Sequence, residues 1–398
     1  MIKWSYRRNI IYLIFLFVYY YLRKITSIIM NHVFKFNNSL LFTFLMVLGE
    51  IFGGLSLYIY QEKFISKNNT KFQHFKFSLI TNEFKMKPID GKVKIYILIF
   101  FASFFDFIEY VISDFFVPRL GIISPTSDQR LCCICTISSS LICTYALKMK
   151  IGRHHICTLI GMGLCSLLII ILDFYYGLKG IDDKIFSNFI WSYLLIIGHF
   201  VFLTFTDVIE KYIIENNYLN PFRILALEGF FSFIMCSIYS IGNNPFKEIG
   251  NLEISAGYWV LLIFLLFLYF VFSAGVNVYK ILCNVLYSPM GKSLPAFSFN
   301  PVFIIYYFFY ENDFLSENKP NYYYFIANFI LSIFIDFLAF VYNEFLILFC
   351  CGLEHGTHYG ITNRSKIDSM KELDDFKKIY DYDKHQDDLE DSFSNPEL

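Results

Sequence analysis

The stretch GIISPTSDQRLCCICTISSSLICTYALKMK, residues 121–150, is long enough to cross a bilayer but lacks the Leu, Ile and Phe saturation of a lipid-facing anchor. Its weakly polar residues recur at three- and four-residue spacing, so a helix places one set of them on a single face: Gln129, Cys133, Thr136, Ser140 and Thr144. Such a face either packs closely against other helices or lines a polar cavity. The choice depends on whether other spans carry similar faces.

The composition is that of a membrane protein. Of 398 residues, 56% are hydrophobic and 17% are charged, and the mean hydropathy is +0.49. The net charge of -1 provides no basic field, so we expect no nucleic-acid partner. The cysteines fall almost entirely within hydrophobic stretches, which argues against an extramembrane disulfide framework. Cys132, Cys133 and Cys135 point to different sides of a helix, so we predict apolar thiols, with no metal and no cofactor.

Ten apolar segments predict ten transmembrane helices, since each is near the roughly 20 residues that a bilayer requires. They lie near residues 10–30, 40–60, 95–117, 126–147, 155–177, 187–208, 221–241, 256–278, 294–310 and 322–350. The first segment, behind Arg7 and Arg8, also resembles a signal peptide. No small-residue cleavage site follows it, and the apolar character resumes after Arg23 and Lys24, which favours a membrane helix.

These segments are predicted to form one transmembrane domain, residues 1–350, with a polar loop at 61–94 and halves of about 10–177 and 187–350. Residues 351–398 are expected to form a hydrophilic tail. Lysine and arginine are concentrated in the 61–94 loop, around Lys148, Lys150 and Arg153, and in the tail. The positive-inside rule therefore predicts that both termini are cytosolic.

Two pairs of matching segments indicate that the halves are related. LGEIFG at residues 48–53 resembles LEGFFS at 227–232, and the Ser-Pro pair at 124–125 has a counterpart at 288–289. This pattern is typical of transporters built from inverted repeats. The predicted fold class is therefore an all-α polytopic membrane protein with ten transmembrane helices in two inverted five-helix repeats. Pro289, Pro295 and Pro301 predict either a broken helix near a binding site or an ordinary kink.

Several of the predicted spans carry ionisable side chains, which are costly in lipid and usually face a bundle interior or a water-filled cavity. For each residue alone, a structural pair is the alternative; convergence of many would line a substrate path. Carboxylates would bind a cation or relay a proton, amides and hydroxyls would orient the solute, and basic groups would adjust the charge. The candidate cavity residues are Glu50, Asp106, Gln129, Ser140, His199, Glu228, Asn277, Lys280 and Asp336.

Enzyme signatures are missing from the sequence. It contains no HExxH, GxSxG or phosphate-binding glycine loop, so we expect that the protein is not an enzyme. His154 and His155 lie at the edge of a predicted span. Because successive residues of a helix face different directions, we do not expect them to form a metal-binding pair.

Four motifs resemble the drug/metabolite transporter superfamily, in particular the solute carriers grouped with nucleotide-sugar transporters and the chloroquine-resistance-transporter-like proteins. They are LMVLGEIFGG at 45–54, FFASFFDFIEY at 100–110, SPTSDQRL at 124–131 and IIENNYLNPFRILALEGFFSF at 213–233. The resemblance implies ten helices in two inverted halves, cytosolic termini and alternating access around a central cavity. It also implies an intracellular membrane, such as that of a vacuole, lysosome or Golgi compartment.

The resemblance also bears on individual residues. Glu50, Asp106, Gln129 and Glu228 match polar positions of the family pattern. His199 stands where a neutral polar residue such as Gln is expected in related members, and a histidine there introduces a group that titrates near neutrality.

The sequence thus predicts a secondary active transporter that moves a small polar or cationic solute across an intracellular membrane, with proton coupling left open. Its partners would be membrane lipid and a small-molecule solute; its oligomeric state is undetermined. One alternative is a non-transporting membrane scaffold or sensor, which predicts a collapsed, dry centre. The other is a membrane-embedded enzyme, which predicts a closely spaced catalytic cluster at one membrane face.

Overall fold

The computed structural model describes residues 2–4, 10–36, 38–61, 91–112, 116, 131–146, 151–177, 183–217, 219–242, 256–286, 301–302, 304–305, 315–316, 319–320, 322–349 and 352–357. This part of the chain is helical apart from two short antiparallel strand pairs. Strand β1 (Ile2–Trp4) pairs with β4 (Leu346–Leu348), and β2 (Leu315–Ser316) pairs with β3 (Lys319–Pro320).

Each long helix overlaps one of the predicted segments, although several of their ends differ. They are α1 (Ile10–Phe34), α2 (Ser39–Tyr60), α3 (Lys92–Val111), α4 (Cys133–Ala146), α5 (Arg153–Gly177), α6 (Asp183–Asn217), α7 (Pro221–Gly242), α8 (Ala256–Leu286) and α9 (Tyr322–Tyr342). A short 3-10 helix follows at Leu353–Gly356. The predicted span near 294–310 lies mostly outside the described residues, as do most of the 61–94 loop and the tail beyond residue 357.

Seven helices of the described chain are long and apolar enough to cross a membrane: α1, α2, α5, α6, α7, α8 and α9. Helix α4 is apolar but shorter. Helix α3 is not among the seven; it carries Asp106 and Glu109 within its apolar sequence and two lysines near its start. The chain is therefore a polytopic all-α membrane protein.

The last helix ends earlier than predicted. The sequence analysis extended it to residue 350, but α9 ends at Tyr342. The Glu344 N–H donates to the Val341 carbonyl oxygen at 3.1 Å, and the Phe345 N–H donates to the Phe340 carbonyl oxygen at 2.9 Å. These two bonds, with a φ of 57° at Glu344, form a Schellman turn that closes the helix. The apolar residues that follow form β4 instead.

The centre of the bundle depends on the close approach of α2 to α7, which glycines allow. A Cβ atom on Gly54 would lie 2.7 Å from the Ala226 nitrogen and 2.8 Å from the Phe222 oxygen. One on Gly229 would lie 2.8 Å from the Glu50 Cβ atom. Both contacts require glycine, because any larger residue would collide with backbone or with a Cβ atom. They set Glu50 of α2 directly against α7.

We expect Gly54→Ala to lower the free energy of unfolding by about 1–3 kcal/mol, the usual cost of overpacking. The added methyl group meets backbone atoms of α7, which cannot move aside as a flexible side chain can. Thermal unfolding in detergent measures the effect. Gly163→Ala in α5 is the matched control, because nothing lies within 4 Å of a Cβ atom there. Equal melting temperatures for the two variants would contradict this packing.

The other large contacts join α1 to α8, α2 to α8, α3 to α6, α3 to α7, and α5 to α9. Helix α4 packs against α5 and α6. The helices α2, α3, α6, α7 and α8 therefore surround one central region, while α4, α5 and α9 pack together at its side.

A buried carboxylate joins three helices at this side. Asp173 of α5 accepts hydrogen bonds from the hydroxyl groups of Tyr193 in α6 and Tyr324 in α9. Each carboxylate oxygen of Asp173 therefore has a tyrosine donor, which offsets the cost of burying the acid. The two hydrogen bonds connect α5 to α6 and to α9.

We expect Tyr324→Phe to lower the free energy of unfolding by about 1.5–3 kcal/mol, since one oxygen of a buried carboxylate loses its donor. Tyr323→Phe removes a hydroxyl group from the same helix on a residue that is 82% exposed, and should have little effect. Melting temperatures of the two variants in the same detergent make the comparison. A Tyr324→Phe variant as stable as the control would show that the hydrogen bond to Asp173 contributes little.

Candidate functional site

A cavity lies where α2, α3, α6, α7 and α8 meet. The space between its lining atoms, counted together with space open to solvent, is ≈ 300 Å³. Seven of its nine lining residues are polar or charged; the lining consists of Glu50, Asp106, Thr206, Glu210, Leu225, Glu228, Asn277, Lys280 and Ile281. Four carboxyl groups from four different helices therefore meet in one place.

Among the described residues, Lys280 of α8 is the only lysine or arginine in this lining. Its Nζ atom lies 3.8 Å from an Asp106 carboxylate oxygen, and both side chains are mostly buried. One ammonium group thus stands among four carboxyl groups. Uncompensated negative charges in a low-dielectric interior cost free energy. A bound cation or a proton would reduce this cost by offsetting the excess of carboxylates.

One of the four acids is held by an amide group. Glu210 of α6 accepts a 2.7 Å hydrogen bond from the Asn284 side-chain amide of α8. This bond satisfies one carboxylate oxygen of Glu210 and links two helices that line the cavity.

Some carboxylate oxygens in the cavity remain available. Among the described residues, Glu50 Oε2 and Glu228 Oε1 are buried and make no hydrogen bond. A buried acceptor without a donor costs free energy unless a ligand, a water molecule or a proton satisfies it. These two oxygens are the positions at which a cationic group or a proton would be most stabilised.

A second acid–base pair lies beside the cavity. His199 Nδ1 of α6 is 3.1 Å from a Glu109 carboxylate oxygen of α3, and both side chains are largely buried. Glu109 follows Asp106 by three residues, so the two acids occupy neighbouring positions on one side of α3. His199 is absent from the cavity lining and contacts Glu109 beside it.

Other polar residues of the lining hold the helices together. Asn277 of α8 donates a 3.2 Å hydrogen bond to the Met46 carbonyl oxygen of α2. Thr206 of α6 donates a 3.1 Å hydrogen bond to the Ala102 carbonyl oxygen of α3. These side chains satisfy backbone acceptors of neighbouring helices at the level of the cavity.

The structure brings together five of the nine sequence-predicted candidates: Glu50, Asp106, Glu228, Asn277 and Lys280. Ser140 instead shares a hydrogen bond with the Tyr342 hydroxyl group, among α4, α5 and α9. Asp336 of α9 is also absent from the cavity lining, and its Oδ1 atom makes no hydrogen bond among the described residues. Gln129 lies outside the described residues.

Sequence reasoning missed Glu210. The predicted span ended at residue 208, whereas α6 continues to Asn217 and brings Glu210 into the cavity. The available signal was its spacing: Glu210 follows Thr206 by four residues and therefore shares its face. The next residue, Lys211, is also buried and donates to the Val285 carbonyl oxygen at 2.7 Å.

The cavity is narrow in this conformation. Its free space accommodates about one water molecule. A solute larger than that requires the surrounding helices to separate. Charged and polar side chains from several helices nonetheless converge on the cavity, which an apolar bundle centre would lack.

The fold and the cavity define the class: a multi-pass all-α membrane protein with an acidic site between its helices. No protein-family model matches the sequence, and no curated protein matches it either.

Proposed function

We propose that the chain is a secondary active transporter that moves a small cationic solute across an intracellular membrane by alternating access. The observation that carries the proposal is the convergence of Glu50, Asp106, Glu210 and Glu228, from four helices, around Lys280. Ionisable residues inside a membrane are expensive and characteristically mark substrate or proton pathways. An acidic excess in such a place favours a cation over an anion.

Proton coupling follows from the same cluster. Glu50 and Glu228 each have a buried carboxyl oxygen without a hydrogen bond among the described residues, and a proton on either group would offset part of the acidic excess. Release of the proton as a cation binds would leave the charge of the site unchanged. Exchanging a proton for a cationic solute therefore costs less free energy than adding a charge to a low-dielectric cavity.

The helix packing supports the proposed inverted repeat. In that repeat α1 corresponds to α6, α2 to α7, α3 to α8, and α5 to α9. If each helix is replaced by its counterpart in the other repeat, the α1–α8 contact corresponds to the α3–α6 contact. The α2–α8 contact corresponds to the α3–α7 contact in the same way. All four are among the extensive helix–helix contacts of the described chain. The α2–α7 and α5–α9 contacts convert into themselves. This pairing is expected if a pseudo-twofold axis passes between α2 and α7.

The same correspondence relates Glu50 in α2 to Glu228 in α7. Both line the cavity, on either side of the proposed axis. Transporters of this type bind their substrates at the repeat interface and open alternately to either side by movement of one repeat against the other. The resemblance to the drug/metabolite transporter superfamily agrees with this mechanism, with an intracellular membrane and with cytosolic termini.

A flux screen tests the proposal. The purified full chain is reconstituted into liposomes, a pH gradient is imposed, and labelled small cations, neutral polar solutes and anions are compared. We expect uptake of a cationic solute, accelerated by a gradient that drives protons in the opposite direction. Protein-free liposomes are the control.

The alternative function is a membrane scaffold or sensor, which the narrowness of the cavity favours. It predicts that no class of solute crosses faster than in protein-free liposomes. Preferential uptake of anions would contradict the assignment of the carboxyl cluster as a cation site.

A further inference from the structure

Three side chains able to ligate a metal meet away from the cavity, at the start of α5 and just beyond the end of α9. They are His154, His155 and Glu344, and one ligand atom from each lies within 4.8 Å of the others. The sequence led to the expectation that the two histidines face apart. Their ring centroids are instead 3.8 Å apart. In the first turn of a helix no preceding turn restricts the side-chain rotamers, so neighbouring rings are free to turn together.

His154 is the most constrained of the three. It is 2% exposed, and neither ring nitrogen makes a hydrogen bond among the described residues. Its Nε2 atom lies 3.4 Å from a Glu344 carboxylate oxygen. A charge-assisted hydrogen bond would be about 2.7–2.9 Å long. Two ligands bound to zinc at about 2.0–2.1 Å in tetrahedral geometry lie about 3.4 Å apart, which matches the observed separation.

Glutamate is an unfavourable residue at position 344, both for the backbone conformation and for the charge at the end of the helix. Its φ of 57° lies in the left-handed region, where this turn usually has glycine. Its negative charge also lies at the C-terminal end of α9, the end that the helix dipole makes unfavourable for anions. A carboxylate placed here against both preferences, and directed at a buried imidazole, indicates a ligand between them.

His155 completes the group. Its ring packs edge to face on Tyr342 at a centroid distance of 4.8 Å, and its Nδ1 atom accepts a 3.1 Å hydrogen bond from the Gly152 N–H. That bond places the proton of a neutral ring on Nε2. Coordination through His155 therefore requires release of the Gly152 N–H or loss of the Nε2 proton, whereas His154 and Glu344 already have the required separation.

We propose that His154, His155 and Glu344 bind a divalent transition-metal ion, with Zn²⁺ as the best match, and that this ion fastens the start of α5 to the end of α9. Imidazole and carboxylate are common zinc ligands, and three protein ligands leave a fourth position for water. This proposal differs from the sequence-based expectation that the protein binds no metal. The site is independent of the transport proposal, because none of its residues lines the acidic cavity.

Zinc binding to the full chain tests this inference. The protein is purified without a polyhistidine tag, stripped with a chelator and dialysed against buffered free Zn²⁺; bound zinc and melting temperature are then measured. We expect one saturable zinc ion per chain and a higher melting temperature with zinc. No saturable zinc at micromolar free concentration in the wild type would overturn the proposal.

Variants distinguish the role of these side chains as zinc ligands from the effect of residue 344 on the backbone turn. We expect His154→Ala and Glu344→Gln to weaken zinc binding by more than the 10- to 100-fold typical of losing an outer-shell partner. Glu344→Gly suits the left-handed turn, so it should fold at least as stably without zinc and yet lose the zinc-induced shift. His199→Ala, which removes a buried histidine paired with Glu109, is the control and should keep the shift. Wild-type zinc affinity in His154→Ala and Glu344→Gln would refute the assignment.

Discussion

Replacing Lys280 with methionine is expected to lower the free energy of unfolding by about 3–5 kcal/mol, the range seen when one partner of a buried ion pair is removed. Lys280 is the only basic residue that the described part of the chain contributes to the cavity lining, and its Nζ atom lies 3.8 Å from an Asp106 carboxylate oxygen. Methionine has a similar length but no charge, so four acids lose the one cation that offsets them. Chemical and thermal unfolding in detergent measure the loss.

A second substitution distinguishes charge from packing. If the loss arises from uncompensated carboxylates, adding Asp106→Asn to Lys280→Met should recover much of the stability, with a coupling energy typical of residues in contact. Lys94→Met, at an exposed position of α3, is the control and should be nearly neutral. A double variant no more stable than Lys280→Met alone would mean that Lys280 stabilises the bundle through its packing.

Replacing Glu50 and Asp106 together, as Glu50→Gln and Asp106→Asn, is expected to weaken binding of a cationic solute by more than about 100-fold. The estimate follows from about 1.5–3 kcal/mol for each lost interaction with a charged group. Both substitutions keep the size of the side chain and remove its negative charge. Equilibrium binding of the labelled solute to detergent-solubilised protein measures the change.

Asp336→Asn provides the matched control for this double variant. Asp336 is also an acid within an apolar helix, but it is absent from the cavity lining. Its neutralisation should leave solute affinity within a few-fold of the wild type. If Asp336→Asn reduced affinity as strongly as the double variant, the binding site would extend to α9 and the assignment of the cavity would be wrong.

Much of the cavity could be predicted from sequence because ionisable residues in apolar spans are rare and costly. Glu50, Asp106, Glu228 and Lys280 stood out in this way, and the structure places all four in one lining. Their convergence could not be derived from spacing alone. It depends on α2 approaching α7 at Gly54 and Gly229, a contact between distant parts of the chain.

Small polar residues gave a weaker signal, since the same face serves packing and cavity lining equally well. Ser140 was predicted to line the path, yet it hydrogen-bonds to Tyr342 instead. Cys133 of the same helix contacts the Ser166 hydroxyl group. The described part of this face thus contacts neighbouring helices. Neither contact is visible without knowing which helices lie beside α4.

Helix ends were the least predictable feature, and two of them position residues of the proposed sites. The continuation of α6 beyond residue 208 brings Glu210 into the cavity. The early end of α9 places Glu344 beside His154. Both depend on local backbone hydrogen bonding that hydropathy does not report. Apolar residues continued beyond the true end of α9, while charged residues obscured the true end of α6.

The most direct test of the transport proposal is the initial rate of cationic solute uptake by proteoliposomes under an imposed pH gradient. The wild type, the Glu50→Gln and Asp106→Asn double variant, and Asp336→Asn are compared at equal protein content. The proposal predicts gradient-dependent uptake by the wild type and by Asp336→Asn, and uptake at the protein-free level for the double variant. Uptake that is undiminished when both cavity acids are neutralised would contradict it.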